Sequence, residues 1–258
     1  MSAIPVREDP IAVFDSGVGG VSVLRELLKL MPGERYLYYG DSKNAPYGTK
    51  STAEVRALTC AAAERLMARG CKALVVACNT ATAAAIAELR ARWPDRIIIG
   101  IEPALKVAAD HFPGGQIGVM ATPLTLREEK FDLLLHRFTD ACTVYKLPAP
   151  GLMELVERGL AVSAETERLL EPLLGPYRDR LDAVVLGCTH YPFAAPVISR
   201  LLGGHTALLQ GGPGTARQTR RRLEAAGLLE NGAGELHIEN SAGSQETIAL
   251  CRRLLSEP

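Results

Sequence analysis

The sequence predicts an α/β protein made of two similar doubly wound parallel-sheet domains related by pseudo-symmetry, and three observations carry that prediction. Short apolar runs rich in valine and isoleucine alternate with longer amphipathic segments, the pattern of buried parallel strands joined by helices. The stretch Ala73-Leu-Val-Val-Ala-Cys-Asn-Thr80 is echoed by Ala183-Val-Val-Leu-Gly-Cys-Thr-His-Tyr-Pro192, each apolar run stopping at a cysteine, Cys78 and Cys188. An earlier pair, Ala12-Val-Phe-Asp-Ser16 and Gly118-Val-Met-Ala-Thr122, repeats at nearly the same separation and sets Asp15 against Thr122.

Composition narrows the class. A chain of 258 residues with 47% hydrophobic content buries a substantial core without staples. Lysine plus arginine and aspartate plus glutamate are equal at 29 each, so no bulk charge points to nucleic acid or an anionic membrane. Residues 1–10 contain no apolar core flanked by basic residues, and no later run approaches bilayer-spanning length; a cytoplasmic location is expected. Six scattered cysteines without a Cys-x-x-Cys pair read as reduced thiols, and no metal site is expected.

Taken in order, Ile11 to Phe14 is a buried strand and Asp15-Ser-Gly-Val-Gly-Gly20 the turn into a helix over Val21 to Leu30. Glycines let backbone approach a ligand closely, and free N–H groups at a helix start can hold an anion. The glycine spacing does not match a dinucleotide fingerprint. Tyr36 to Tyr39 is the second strand and delivers Gly40-Asp41 and the irregular loop Pro46-Tyr-Gly48. A helix over Ser51 to Arg69 follows, with Ser51 or Thr52 as cap and Glu54 in its first turn. Lys72 to Ala77 is the third strand, and a helix begins after Cys78 with Asn79-Thr80, so the thiol feels the positive helix end. A lone cysteine there is usually structural; its echo at Cys188 tips the reading towards function.

Arg96 to Ile101 is the next strand, and a domain crossing is expected near residue 102, where Glu102-Pro103 opens the helix carrying Lys106. The second unit restarts at Gln116 to Thr122, with a helix over Thr125 to Phe138 and a strand over Ala141 to Leu147. Glu154 and Glu157 share a helix face, and from their spacing alone both read as solvated surface. A helix over Ser163 to Leu174 precedes the strand Leu181 to Leu186, and His190 stands close enough to Cys188 to relay its proton. His205 to Gln210 is one more strand, followed by Gly211-Gly-Pro-Gly214 and a helix bearing Arg217, Arg220, Arg221 and Arg222, which reads as a solvated face. A last strand, Glu235 to Asn240, and helix, Ser244 to Leu255, fold back onto the first half. The expected division is therefore 1–101 plus 211–258, carrying Asp15 and Cys78, and 102–210, carrying Cys188 and His190.

Four motifs in this order, Phe14-Asp-Ser-Gly-Val-Gly-Gly20, Gly40-Asp41 with Pro46-Tyr-Gly48, Ala77-Cys-Asn-Thr80 and Gly187-Cys-Thr-His-Tyr-Pro192, resemble the glutamate racemases of the aspartate/glutamate racemase superfamily over nearly the whole chain. The resemblance implies an active site in a cleft between two α/β domains, a homodimer, and cofactor-independent interconversion of L- and D-glutamate for peptidoglycan. It implies Cys78 as the base for D-glutamate and Cys188 as the base for L-glutamate, with Asp15 assisting the former and His190 the latter. Ser16, Asp41, Pro46, Tyr47, Gly48, Asn79, Thr80 and Thr189 would hold the substrate, and Glu157 matches a family glutamate near the second cysteine. Ala149, Phe131 and Gln210 depart from the family's usual cysteine, tyrosine and aspartate.

Two thiols suit racemisation because one must remove an α-proton while the other returns one to the opposite face. Rival readings are an acyl transferase with one nucleophilic cysteine and His190 as its base, an aspartate or hydantoin racemase, and a small-anion sensor binding at Asp15 to Gly20. A pyridoxal phosphate enzyme using Lys72 or Lys106 lacks any identifiable cofactor site in the sequence.

Overall fold

A computed structural model describes residues 5–127, 133, 135, 138 and 141–256. The chain divides into two compact units, Met1–Ile101 with Gly212–Pro258, and Glu102–Gly211.

The first unit holds five strands: β1 (Ile11–Asp15), β2 (Arg35–Gly40), β3 (Ala73–Val76), β4 (Ile97–Gly100) and β9 (Glu235–Asn240). All pairings are parallel and the spatial order is β4-β3-β1-β2-β9. Every residue of β1 and β3 is buried, as expected of strands covered by helices on both faces. The chain leaves β1 for β2 on one side, then crosses to β3 on the other. That reversal makes the carboxyl ends of β1 and β3 the topological switch point, where open α/β sheets bind ligands. β9 lies outside β2 as an edge strand and brings the end of the chain back to this sheet.

The second unit repeats the winding with β5 (Gln116–Ala121), β6 (Thr143–Pro148), β7 (Ala183–Leu186) and β8 (Ala207–Gln210) in the order β6-β5-β7-β8. The registers correct the sequence alignment of the two halves by one residue. Ile11 faces Ala73 as Ile117 faces Ala183. The Ala77 amide donates to Phe14 O at 2.8 Å, as Gly187 donates to Met120 O at 2.7 Å. Thr122 therefore corresponds to Ser16, and the counterpart of Asp15 is Ala121. A shared apolar run fixes the strand but not its last residue, which is how the slip arose.

The helices follow their end signals. Ser51 caps the helix Thr52–Met67 in a full capping box: its hydroxyl takes the Glu54 amide and Glu54 Oε2 takes the Ser51 amide, at 3.3 and 2.9 Å. Several element ends shift by a residue or two, and two helices differ more from expectation. The arginine-bearing helix spans Gly212–Ala225 and takes in most of the glycine stretch expected to be a loop, because Pro213 fits a first helical turn. Its Arg217, Arg220, Arg221 and Arg222 are exposed. Of the helix expected over Thr125 to Phe138, a helical segment Pro123–Arg127 is seen, and Phe131 lies outside the described residues. Among the described residues no helix is long and apolar enough to cross a membrane.

Candidate active site

In the first unit, three loops leave the carboxyl ends of neighbouring strands. Asp15 closes β1 and is fully buried, its Oδ2 accepting the Gly17 amide at 3.0 Å. A Cβ on Gly20 would stand 2.5 Å from the Asp15 Cβ, so only glycine lets the turn pass over this carboxylate. The amides expected to be free at the start of the following helix, Val21–Leu30, are not. Those of Val21, Ser22 and Val23 bond back to the carbonyls of Val18, Gly19 and Gly20.

Cys78 stands two residues past β3 and is itself the N-cap of the helix Asn79–Arg92. Its sulfur accepts the Ala81 amide at 3.4 Å. Ser16 Oγ lies 3.4 Å from the same sulfur. Negative charge on Sγ is thus met by a helix N-terminus and a hydroxyl. Next to it, Asn79 Oδ1 is buried without a hydrogen-bond partner among the described residues, an unsatisfied acceptor of the kind that costs stability unless it serves a purpose.

The second loop carries Asp41, whose amide donates to Asp15 O at 2.9 Å. Its carboxylate accepts the Tyr47 hydroxyl at 2.7 Å and the Asn44 side-chain amide at 3.0 Å. Burial first, then this bond to Asp41, pushes the Tyr47 phenol well above the ordinary tyrosine range, so it stays a neutral donor. The Asp41 clamp holds the Pro46-Tyr47-Gly48 turn.

In the second unit Cys188 stands two residues past β7, but no long helix follows it. The chain makes a single-turn helix, Tyr191–Ala194, before Ala195–Leu201. A histidine takes the place of the helix terminus. His190 Nδ1 lies 3.7 Å from Cys188 Sγ and Nε2 lies 2.8 Å from Glu157 Oε1. The His190 side chain is 2% exposed and that of Glu157 19%. Burial by itself pushes the imidazolium down; the hydrogen bonds to Cys188 and Glu157, with the charges of both, outweigh it and leave His190 well above the ordinary histidine range. The surface reading of Glu157 is thereby overturned, while Glu154 is exposed as expected. The helix Leu152–Glu157 separates the two because its buried face is Leu152, Leu155 and Val156, beside Glu157.

Thr189 is buried beside Cys188. Ala149, one of the three departures from the family pattern, packs in the same core cluster as Cys188 and gives its carbonyl to the Tyr191 hydroxyl at 3.1 Å. Gln210 ends β8, facing Leu186 of β7. The two lysines weighed as cofactor anchors lie elsewhere: Lys72 is buried against Glu34 at 2.6 Å, and Lys106 is an exposed partner of Asp110.

Residues 11–219 match the Asp/Glu/Hydantoin racemase family. The chain belongs to that family. The glutamate racemase of Clostridium botulinum (strain Alaska E43 / Type E3) is 45% identical over 252 residues, spanning 96% of this chain and 98% of its own. The crystal structure of glutamate racemase isoform RacE1 from Bacillus anthracis superposes with a TM-score of 0.87 at 31% identity, covering 97% of this chain and 95% of that one. Escherichia coli glutamate racemase, crystallised with L-glutamate and the activator UDP-MurNAc-ala, gives 0.84 at 31% identity and covers 96% and 94%. In this racemase-family chain both strand-end cysteines are present, and each carries a different set of polar neighbours.

Proposed function

We propose that this protein interconverts L- and D-glutamate without a cofactor, with Cys78 and Cys188 as the two acid–base groups. The observation that carries the reading is that each sheet presents one cysteine two residues past the strand at its switch point, in a chain 45% identical to a glutamate racemase. The reading requires the two sulfurs to approach the substrate's α-carbon from opposite faces. Cys188, as thiolate, takes the α-proton of L-glutamate, and Cys78, as thiol, gives its own to the other face to form the D enantiomer. In reverse, Cys78 is the base for D-glutamate.

Each turnover leaves the protonation states of the two cysteines exchanged, so protons must be restored from solvent before the next turnover in the same direction. His190, in reach of the sulfur through Nδ1 and of Glu157 through Nε2, supplies such a route at Cys188, passing a proton away from the thiol after L-glutamate turnover and back to the thiolate after the reverse. At Cys78 the corresponding groups are Ser16 and, through the loop it shares, Asp15. The substrate's charged groups are met by Ser16, Asp41, Pro46, Tyr47, Gly48, Asn79, Thr80 and Thr189, and the orphaned Asn79 Oδ1 suits an ammonium donor. One placed proton-transfer group is worth about 10²- to 10⁴-fold, so donors that stabilise the carbanion must supply the rest. The protein is proposed to act as a cytoplasmic homodimer providing D-glutamate for peptidoglycan.

The test is incubation with L-glutamate and, separately, L-aspartate in D₂O, following α-hydrogen exchange and optical rotation together. Deuterium uptake coupled to loss of rotation with glutamate is expected. Exchange with aspartate alone, or ligand binding without exchange, would overturn the assignment.

A further inference from the structure

We infer that Asn240 and Ser241, at the end of the last strand, are positioning residues that hold the Asp41–Gly48 loop in its substrate-binding shape. The inference rests on the racemase reading of that loop. None of the four sequence motifs includes either residue.

Both contacts bridge 198 residues of chain. Asn240 Nδ2 donates to Ser42 Oγ at 2.9 Å, and Ser241 Oγ accepts the Lys43 amide at 2.9 Å. The Ser241 amide itself donates to Gly40 O at 2.8 Å, extending the β2–β9 ladder past its last paired residues, Gly40 and Asn240. Asn240 is fixed from its other side, since its Oδ1 accepts the Ala242 amide at 2.9 Å. The Arg65 guanidinium lies over the ring of Tyr39, the residue before Gly40, 4.9 Å from its centre. The end of β9 is thus a built bracket.

What it holds is the turn Ser42–Asn44, which sits directly between Asp41 and the Pro46-Tyr47-Gly48 turn. Asp41 accepts from both Asn44 and Tyr47, so Ser42 and Lys43 are tied into one rigid loop with the residues proposed to meet the substrate. The bracket also reaches the first loop. A Cβ on Gly40 would press on both Gly17 O and, at 2.8 Å, Asn240 Nδ2, so the Asn240 amide is packed against the backbone where the first two loops meet. Side chains locked in this way set the precision of a binding loop, and a displacement of about 1 Å can cost up to about 100-fold in rate.

A loop that binds both enantiomers in ground and transition states alike affects KM more than kcat. Ser241→Ala and Asn240→Ala are therefore expected to raise KM for L- and D-glutamate about fivefold, with kcat within about twofold of wild type. Amide hydrogen exchange over residues 41–48 should quicken in both, and Ser241→Thr, which keeps the hydroxyl, should restore both readouts. Because Asn240 acts through Ser42, the double variant Asn240→Ala/Ser42→Ala should be no worse than Asn240→Ala alone. Unchanged KM with unchanged exchange at 41–48, exchange that quickens throughout the first unit instead of in the loop, or additive losses in the double variant each overturn the inference. Wild-type turnover, measured first, judges the racemase reading separately, and the exchange comparison judges the bracket without any turnover.

Discussion

Glu157 Oε1 and His190 Nε2 meet at 2.8 Å across 33 residues of chain, and the pair sets the charge beside Cys188. A histidine whose pKa is raised by folding stabilises the fold fully below its ordinary value of about 6.5 and loses that contribution as pH rises through the raised value. Wild-type protein is accordingly expected to lose thermal stability as pH climbs above about 6.5. Glu157→Gln removes one source of the shift while keeping a hydrogen bond, so its melting temperature should fall less over the same range. Melting curves across that range decide the point: parallel slopes in the two proteins would show that Glu157 does not hold the proton on His190.

The two cysteines have different neighbours, and the proposed roles separate them experimentally. An enzyme's ratio of kcat/KM values in the two directions equals the equilibrium constant, which is unity for enantiomers, so steady-state racemisation cannot tell one base from the other. Exchange can. Cys188→Ala and Cys78→Ala are each expected to lower racemisation by more than about 10³-fold, since a whole general base is lost. Cys188→Ala should still exchange the α-hydrogen of D-glutamate with solvent, and Cys78→Ala that of L-glutamate, because the surviving thiol abstracts and returns a proton on one face. Nuclear magnetic resonance of each enantiomer in D₂O reads this directly. The opposite pairing would exchange the assignments, and normal turnover in either variant would end the two-base mechanism.

Tyr47 gives its hydroxyl to a buried carboxylate, Asp41, at 2.7 Å. Removing the donor leaves a desolvated charge short of one partner, which costs about 2 kcal/mol. Tyr47→Phe is thus expected to lower the unfolding free energy read from urea titration by that amount, moving the midpoint down, and to raise KM, since the Pro46-Tyr47-Gly48 turn loses its tie to Asp41. A midpoint equal to wild type would mean that Asn44 alone satisfies the carboxylate.

Much of this arrangement was legible in the sequence because it is local. A β-branched run ending in Cys78 or Cys188 announces a buried strand and the loop beyond it, and Ser51 with Glu54 announces a capped helix. The pairing of the halves was legible only to within a residue, since apolar strand residues are interchangeable and hydrogen-bond register decides which of Asp15 and Ser16 answers Thr122. Contacts between distant segments were not legible from pattern at all. Nothing in the periodicity around Glu154 and Glu157 says which one turns inwards to His190. Likewise, no spacing rule links Ser42 and Lys43 to the last strand. The helix-terminus donors expected after β1 failed for a physical reason: glycines flexible enough to make the turn also let its carbonyls bend back and occupy the first amides.

Far from these loops, Lys72 and Glu34 form a fully buried ion pair at 2.6 Å where β3 and β2 begin, the end of the sheet opposite the loops that carry Asp15, Asp41 and Cys78. The Lys72 ammonium also donates to Leu228 O at 3.0 Å and to Arg7 O, and Glu34 Oε1 accepts the Glu230 amide at 2.8 Å. One pair therefore fastens the chain before β1, the starts of two strands and the segment leading into β9. Taking two charges out of water is costly, so the pair contributes little net stability while intact; removing one partner is a different matter, because it strands the other. Lys72→Met leaves the Glu34 carboxylate buried without a counter-charge and is expected to cost about 3 to 5 kcal/mol. Glu34→Gln added to it removes the stranded charge, so the double variant should recover a large part of that loss despite having one more substitution. Specific activity per folded molecule should stay at the wild-type level in both, since neither residue lies near Cys78 in the sheet. Urea unfolding of the single and double variants, with activity normalised to folded protein, checks all three statements. A double variant less stable than Lys72→Met would show that the hydrogen bonds to Leu228, Arg7 and Glu230, and not the charges, carry the energy of the site.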